Sequence, residues 1–209
     1  MKEFILVSGG RINIDDLEKY ISNNSKAKII AIDKGIEALY KIKVKPEYIL
    51  GDFDSVDASI YKEFVDINKN AQIDTFSSEK DYTDTELGIR CAIANKANMI
   101  TIFGATGTRI DHELANIRLL YIAHKEGIFA QIIDEHNRIY LGEDEITIYK
   151  KDLYGKYISI LPYNNFVKNI SLKGFKYELE NDIMQYESSL GISNEVISDV
   201  ATITCRDSI

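Results

Sequence analysis

The sequence predicts an α/β protein: an N-terminal open, mostly parallel sheet with flanking helices, followed by a C-terminal antiparallel β-sandwich. Three observations predict it. Short, nearly continuous apolar runs recur through the first two thirds of the chain, as strands buried on both faces require. Segments of helical period separate them, the alternation that builds a parallel sheet. After about residue 135 the texture changes to short tyrosine- and isoleucine-rich runs parted by turn residues, the mark of antiparallel strands. The expected domains are therefore residues 1–135 and 136–209, with a short junction, since no Gly/Ser-rich linker occurs and the only prolines are Pro46 and Pro162.

Taken in order, FILVSG (4–9), KIIAID (28–33), EYILGD (47–52), NMITIFG (98–104) and FAQIID (129–134) read as the buried strands. In DYTDTELGIRCAIANKA (81–97), Thr83 and Glu86 have capping-box spacing, so a helix is expected to begin there and bury Leu87, Cys91 and Ala94. RIDHELANIRLLYIAHKEG (109–127) places Leu114, Ile117, Tyr121 and His124 on one helical face, with Asp111 as N-cap and Gly127 as the stop. In the last third EITIYK (145–150), KYISILPY (156–163), NISLKGFKYEL (169–179) and SDVATITC (198–205) are the expected strands.

Composition narrows the function. A formal charge of −8 over 209 residues excludes a protein built to grip nucleic acid, which needs a basic footprint. No run of about 18 apolar residues exists to span a membrane, and the N-terminal apolar run is too short for a signal peptide. The two cysteines, Cys91 and Cys205, lie far apart and form no metal-binding pair, which fits a reduced, cytoplasmic compartment.

Open α/β sheets bind ligands beyond the carboxyl ends of their strands. There the sequence places Ser8, Gly9 and Gly10, then Asp33 and Gly35, then Gly51, Asp52 and Asp54, then Gly104, Thr106, Gly107, Arg109 and Asp111. Gly51 is expected to let the chain turn close to a phosphate. Asp52 and Asp54 would lie about 7 Å apart on one side of an extended chain, a spacing that suits a hard cation shared with substrate phosphates. Taken alone, the pair reads equally as turn chemistry before a helix. Asp81 and Asp84, in a first helical turn, read more readily as complements to the helix dipole than as metal ligands, and His112, His124 and His136 carry no catalytic signal of their own.

Two lookalikes frame the choice. GDFDSVD resembles the D-x-D-x-[TV] motif of haloacid-dehalogenase-type phosphatases, in which the first aspartate is a nucleophile, but that motif typically ends the first core strand and here it follows the third. GATGTRID lacks the Lys-Ser/Thr ending of a Walker loop.

The ordered set AIDKG (31–35), ILGDFDSVD (49–57), EKDYTDTE (79–86) and FGATGTRIDHELANI (103–117) resembles the thiamine pyrophosphokinase family, and GFKYEL (174–179) and GISNEV (191–196) resemble its C-terminal segments. The resemblance implies transfer of a pyrophosphoryl group from ATP to thiamine, with Mg²⁺ as cofactor, in a homodimer whose thiamine sites lie between subunits. It implies a magnesium cluster of Asp52, Asp54, Asp81 and Asp84, which with Arg109 would carry the catalysis. Asp33, Lys80, Thr83, Gly104 and Thr106 would help to hold ATP and its phosphates. Gly107, Arg109, Asp111 and His112 would do the same, the last three matching the family's R-x-D-H motif, with Asn116 one turn later. Ser193 and Asn194 match the segment that contacts the thiamine pyrimidine. Some relatives stack a tryptophan on thiamine; this chain has none, so a tyrosine or aliphatic residue is expected in its place.

Overall fold

The structure, a computed structural model, describes residues 2–75 and 81–206. It comprises two compact units, Met1–Leu141 and Gly142–Ile209.

In the first unit the strands are β1 (Glu3–Val7), β2 (Lys28–Ile32), β3 (Tyr48–Gly51), β4 (Gln72–Thr75), β5 (Met99–Phe103), β6 (Phe129–Ile133) and β7 (Arg138–Tyr140). They form one sheet in the order β4-β3-β2-β1-β5-β6-β7, parallel except for β7, which pairs antiparallel with β6. The helices are α1 (Ile14–Asn23), α2 (Gly35–Lys41), α3 (Ala58–Ile67), α4 (Asp84–Ala94) and α5 (Ile110–Lys125). The chain steps outward from β1 to β4, then returns through α4 to β5 on the other flank of β1. Strand order therefore reverses between β1 and β5, the place where open α/β sheets form their ligand crevice.

Alternation along the central strands feeds two cores. Phe4, Leu6, Ile30, Ile32 and Ile102 face the layer with Ile89 of α4 and Leu120 of α5. Ile5, Val7, Ile29 and Ala31 face the layer with Leu17 of α1, Leu39 of α2 and Phe64 of α3. All five strands read from apolar runs are present, whereas β4 is a polar edge strand, half-exposed, with no apolar run to mark it.

Two helices bury other faces than their apolar spacing suggested. α4 begins after Thr83 as expected, the Thr83 hydroxyl accepting from the Glu86 amide at 3.3 Å. Its buried residues, however, are Thr85, Gly88, Ile89 and Ala92, while Ala94 is exposed and Leu87 and Cys91 are only half-buried. Small side chains won the inner face because they let the helix axis approach the sheet. α5 starts two residues earlier than expected, with Arg109 rather than Asp111 at its N-cap, and buries Asn116, Leu120 and Ala123. It ends as expected at Gly127, which has a φ of 66°.

The second unit holds β8 (Glu145–Tyr149), β9 (Phe166–Lys173), β10 (Leu179–Gln185) and β11 (Val200–Arg206), antiparallel in the order β10-β9-β11-β8. Its core joins Val167, Ile170, Leu172, Met184, Ala201 and Ile203 from the sheet to Phe175, Val196, Leu153, Ile158 and Ile160. That covering layer is made of chain segments tied by single bridges, Ile158 to Asn194 and Phe175 to Val196, so residues 156–163 cover the sheet without extending it. Among the described residues no helix is long and apolar enough to cross a membrane.

Candidate active site

At the carboxyl rim of the first sheet, β2 ends in Asp33, whose backbone is left-handed (φ 46°) and whose amide donates to Leu50 O at 3.0 Å. Its carboxylate lies over the end of β3. A Cβ on Gly51, where φ is 145°, would fall 1.9 Å from Asp33 Oδ1. What Gly51 makes room for in this chain is therefore a carboxylate of its own.

Asp33 Oδ1 is buried without a hydrogen-bond partner. Burial, then the charge of Asp84 and a hydrogen bond shared with it, then the charge of Asp52, push the Asp33 carboxyl up to about 7. The fold thus brings three of the acidic residues, Asp33, Asp52 and Asp84, into mutual range. It does so by docking the N-terminal turn of α4 at the end of β1, where the buried hydroxyls of Ser8 and Thr85 meet at 3.0 Å.

Asp52 is half-buried and accepts the Asp54 amide at 3.3 Å, a turn bond, while Asp54 and Asp81 are exposed. Helix capping, the competing reading of GDFDSVD, falls to Asp57, which accepts from the Ser59 and Ile60 amides. Lys80 lies outside the described residues. Among those described, no group of three or more acidic, His or Cys side chains is placed to hold a metal ion by itself. An unpartnered buried oxygen among like charges suits an ion whose other ligands are water and substrate phosphates better than a protein-only cage.

Beyond β5 the chain turns at Gly104 (φ 70°), and at Gly107 (φ 90°), before α5. Gly10 N donates to Gly104 O at 2.7 Å and Arg11 N to Thr106 O at 2.9 Å, so the loops after β1 and β5 are joined across the switch point. The Thr106 hydroxyl donates to Asp134 Oδ2 at 2.7 Å. Arg109 is exposed, and its guanidinium holds Asp111 through Nη2 at 2.6 Å and Nε at 3.2 Å. That bond keeps the Asp111 carboxyl below its ordinary range and the Arg109 guanidinium above its own. His112 is exposed, and its amide donates to Asp111 Oδ1 at 3.0 Å. Asn116 is buried and donates through Nδ2 to Ala105 O at 2.8 Å.

In the second unit, Asn194 is buried with its amide side chain committed to backbone: Oδ1 accepts from Tyr177 N at 3.0 Å and Glu195 N at 2.9 Å, and Nδ2 donates to Tyr177 O at 2.7 Å. Ser193 is exposed in a left-handed conformation (φ 56°), its amide donating to Ser159 Oγ at 3.0 Å. Reading the motifs alone missed two residues: Asp134, which follows β6 and bonds to Thr106 in a loop 28 residues away, and Glu113, which lies within FGATGTRIDHELANI but whose bond back to the Gly107 and Thr108 amides no residue pattern marks.

The chain is similar to known proteins over nearly its whole length. The family model described as the thiamin pyrophosphokinase catalytic domain matches residues 18–132, and that of the vitamin B1 binding domain matches residues 143–209. A thiamine pyrophosphokinase of Bacillus subtilis is 37% identical, the alignment covering 98% of this chain and 94% of that one. The crystal structure of thiamine pyrophosphokinase from Bacillus subtilis superposes with a TM-score of 0.86 at 31% identity, covering 98% of this chain and 94% of that one. That of the Geobacillus thermodenitrificans protein gives 0.80 at 28% identity, with 98% and 93% covered.

Proposed function

The chain belongs to the thiamine pyrophosphokinase family, and on that footing we propose how its residues divide the reaction. It is a diphosphotransferase that moves the pyrophosphoryl group of ATP to the hydroxyl of thiamine, giving thiamine diphosphate and AMP.

The observation that carries the assignment of parts is the partnerless Asp33 Oδ1 among Asp52 and Asp84 at the rim of the sheet. Asp52, Asp54, Asp81 and Asp84 would hold Mg²⁺, with the half-buried Asp33 within range of Asp52 and Asp84. The ion, when bound, supplies positive charge to the phosphate oxygens as negative charge spreads over them. Arg109 is the cation that the β5–α5 loop brings to the phosphates, and it is paired with Asp111. The work of this chain's residues is positioning and charge neutralisation, the main contributions available in phosphoryl-type transfer.

Thiamine is held by the second unit, where Ser193 presents its side chain and Asn194 shapes the turn at Tyr177. The active form is a homodimer with thiamine sites between subunits, and the compartment is the reducing cytoplasm, in keeping with two free cysteines. The test is conversion of thiamine and ATP by the purified chain. Thiamine diphosphate and AMP should appear with Mg²⁺ and stop on chelation, and Asp54→Asn should abolish turnover while the far-ultraviolet spectrum is kept. Near-normal rates in Asp54→Asn would remove Asp54 from the site; metal-independent turnover would remove the ion.

A further inference from the structure

The loop Gly104–Thr108 is held from three directions. Gly10 N and Arg11 N donate to its Gly104 and Thr106 carbonyls, and Asn116 Nδ2 donates to the Ala105 carbonyl at 2.8 Å. Two carboxylates complete the frame. Glu113 Oε1 accepts from both Gly107 N at 2.8 Å and Thr108 N at 3.1 Å. Asp134 Oδ2 accepts from the Thr106 hydroxyl at 2.7 Å.

Asp134 is itself fixed. Its Oδ1 accepts from the amides of His136 at 2.8 Å and Asn137 at 2.7 Å, and from Asn137 Nδ2 at 3.0 Å. Burial pushes the Asp134 carboxyl up, but the bonds from Thr106, His136 and Asn137 outweigh it and hold it below its ordinary range. An ionised carboxylate only accepts, so the single hydroxyl proton of Thr106 is spent on Asp134. A phosphate oxygen also only accepts, and that hydroxyl has nothing further to donate.

We propose that Asp134 and Glu113 are positioning residues which brace the β5–α5 loop for the phosphates of ATP, and that the Thr106 hydroxyl serves this brace and does not touch substrate. The inference rests on the reading that this loop meets the phosphates. Two acidic side chains beside a phosphate loop would repel the ligand if bare. Here the charge of each is satisfied by hydrogen bonds from the protein, Glu113 by two amides and Asp134 by a hydroxyl, two amides and an amide side chain. With the Gly107 and Thr108 amides also committed, what the loop offers is its fixed shape and Arg109. A loop ordered on folding need not be ordered on binding, which lowers the cost of taking up ATP.

Steady-state kinetics of the full chain with thiamine, ATP and Mg²⁺ tests this. Asp134→Ala and Thr106→Val are each expected to raise the KM for ATP about tenfold, equivalent to about 1.4 kcal/mol, with the KM for thiamine unchanged. The double variant should be no worse than the weaker single one, because both remove the same bond. Thr106→Ser and Glu113→Gln, which keep the donor and the acceptor, should behave as wild type, and Glu113→Leu should resemble Asp134→Ala. A merely structural loss would lower the active fraction without splitting the two KM values. If Asp134→Ala does not fold, the Thr106→Val and Thr106→Ser pair carries the same test. Additive losses in the double variant would assign the hydroxyl to substrate, and a wild-type KM for ATP in Asp134→Ala or Thr106→Val would remove the brace; either overturns the proposal. A wild-type chain that makes no thiamine diphosphate would instead overturn the reading beneath it.

Discussion

Asp33 combines a left-handed backbone, a partnerless buried oxygen and two acidic neighbours, and each of these costs stability in the metal-free protein. Its carboxyl rises from 3.8 to about 7 on folding, so between those values the native state keeps a proton that the unfolded chain has lost. Stability is therefore greatest at the acid end of that window and falls as pH rises through about 7. Thermal melts of the metal-free protein should show that decline. Asp33→Asn should flatten it and raise the Tm at pH 8, while weakening Mg²⁺-dependent turnover. A steep decline persisting in Asp33→Asn would place the titrating group elsewhere. Asp33 was visible in the sequence as a loop acid after a strand. The burial of its Oδ1 was not, because that depends on Gly51 at the end of the neighbouring strand β3 and on a helix first turn that carries Asp84 against it.

At the scale of the element, α4 decides whether that acidic group exists. Gly88 faces the sheet, and a Cβ there would meet Ile32 Cδ1 at 2.5 Å and Leu6 Cδ2 at 3.2 Å, both inside a fully buried core. Gly88→Val should thus lift the helix away from the sheet, costing about 1–3 kcal/mol by overpacking. The lift also moves Asp84 off Asp33. Urea unfolding should show a lowered midpoint, and metal-dependent turnover should fall further than the folded fraction does. Gly88→Ala is the sharper control, since the gain of about 1 kcal/mol in helix propensity opposes the crowding. Wild-type stability in Gly88→Val would show that the interface has slack. The helix itself was predictable from Thr83 and its apolar content, but the choice of face was not. Apolar spacing favoured Leu87 and Cys91, whereas close packing on β1 and β2 selected the small residues Gly88 and Ala92.

A second element-scale feature lies on the opposite face of the sheet. Tyr20 of α1 donates to Glu3 Oε1 at 2.9 Å and lies 3.0 Å from Thr101 Oγ1, while Gln131 Nε2 donates to both Tyr20 and Thr101. Burial, with Glu3 beside it, pushes the Tyr20 phenol up to about 12. Thr101 and Gln131 are almost wholly buried, so the network ties β1, β5 and β6 to α1 through bonds water cannot replace. Tyr20→Phe removes one hub and leaves buried acceptors and donors short of partners, and should cost about 1–3 kcal/mol in unfolding experiments. An unchanged urea midpoint would mean the remaining members satisfy one another.

For the whole molecule, strands buried on both faces announced themselves as apolar runs, which is why β1, β2, β3, β5 and β6 could be read directly. Two edge strands did not, although the edge strand β8 was read from EITIYK: β4 (QIDT) and β10 (LENDIMQ) are paired on one side and carry polar, partly exposed residues, so composition leaves little trace of them. The same exposure bears on assembly. In the second unit Tyr149, Phe166, Ile183, Tyr186, Ile197 and Val200 are exposed large apolar side chains, surface that a second copy could cover. Each chain carries a formal −8, so two copies repel at long range, and apolar contact must drive the proposed dimer. Sedimentation equilibrium should give twice the 23.8 kDa chain mass. Raising salt from about 0.05 to 0.5 M, which shortens the screening length below about 10 Å, should leave the dimer intact or tighten it. Ile183→Glu, on the edge strand β10 and 52% exposed, adds charge without touching the described core and should shift the mass to one chain while the circular dichroism is retained. If thiamine is bound between subunits, that monomer should lose turnover in parallel. A wild-type monomer with full activity, or a dimer that dissociates as salt rises, would overturn this account of the assembly.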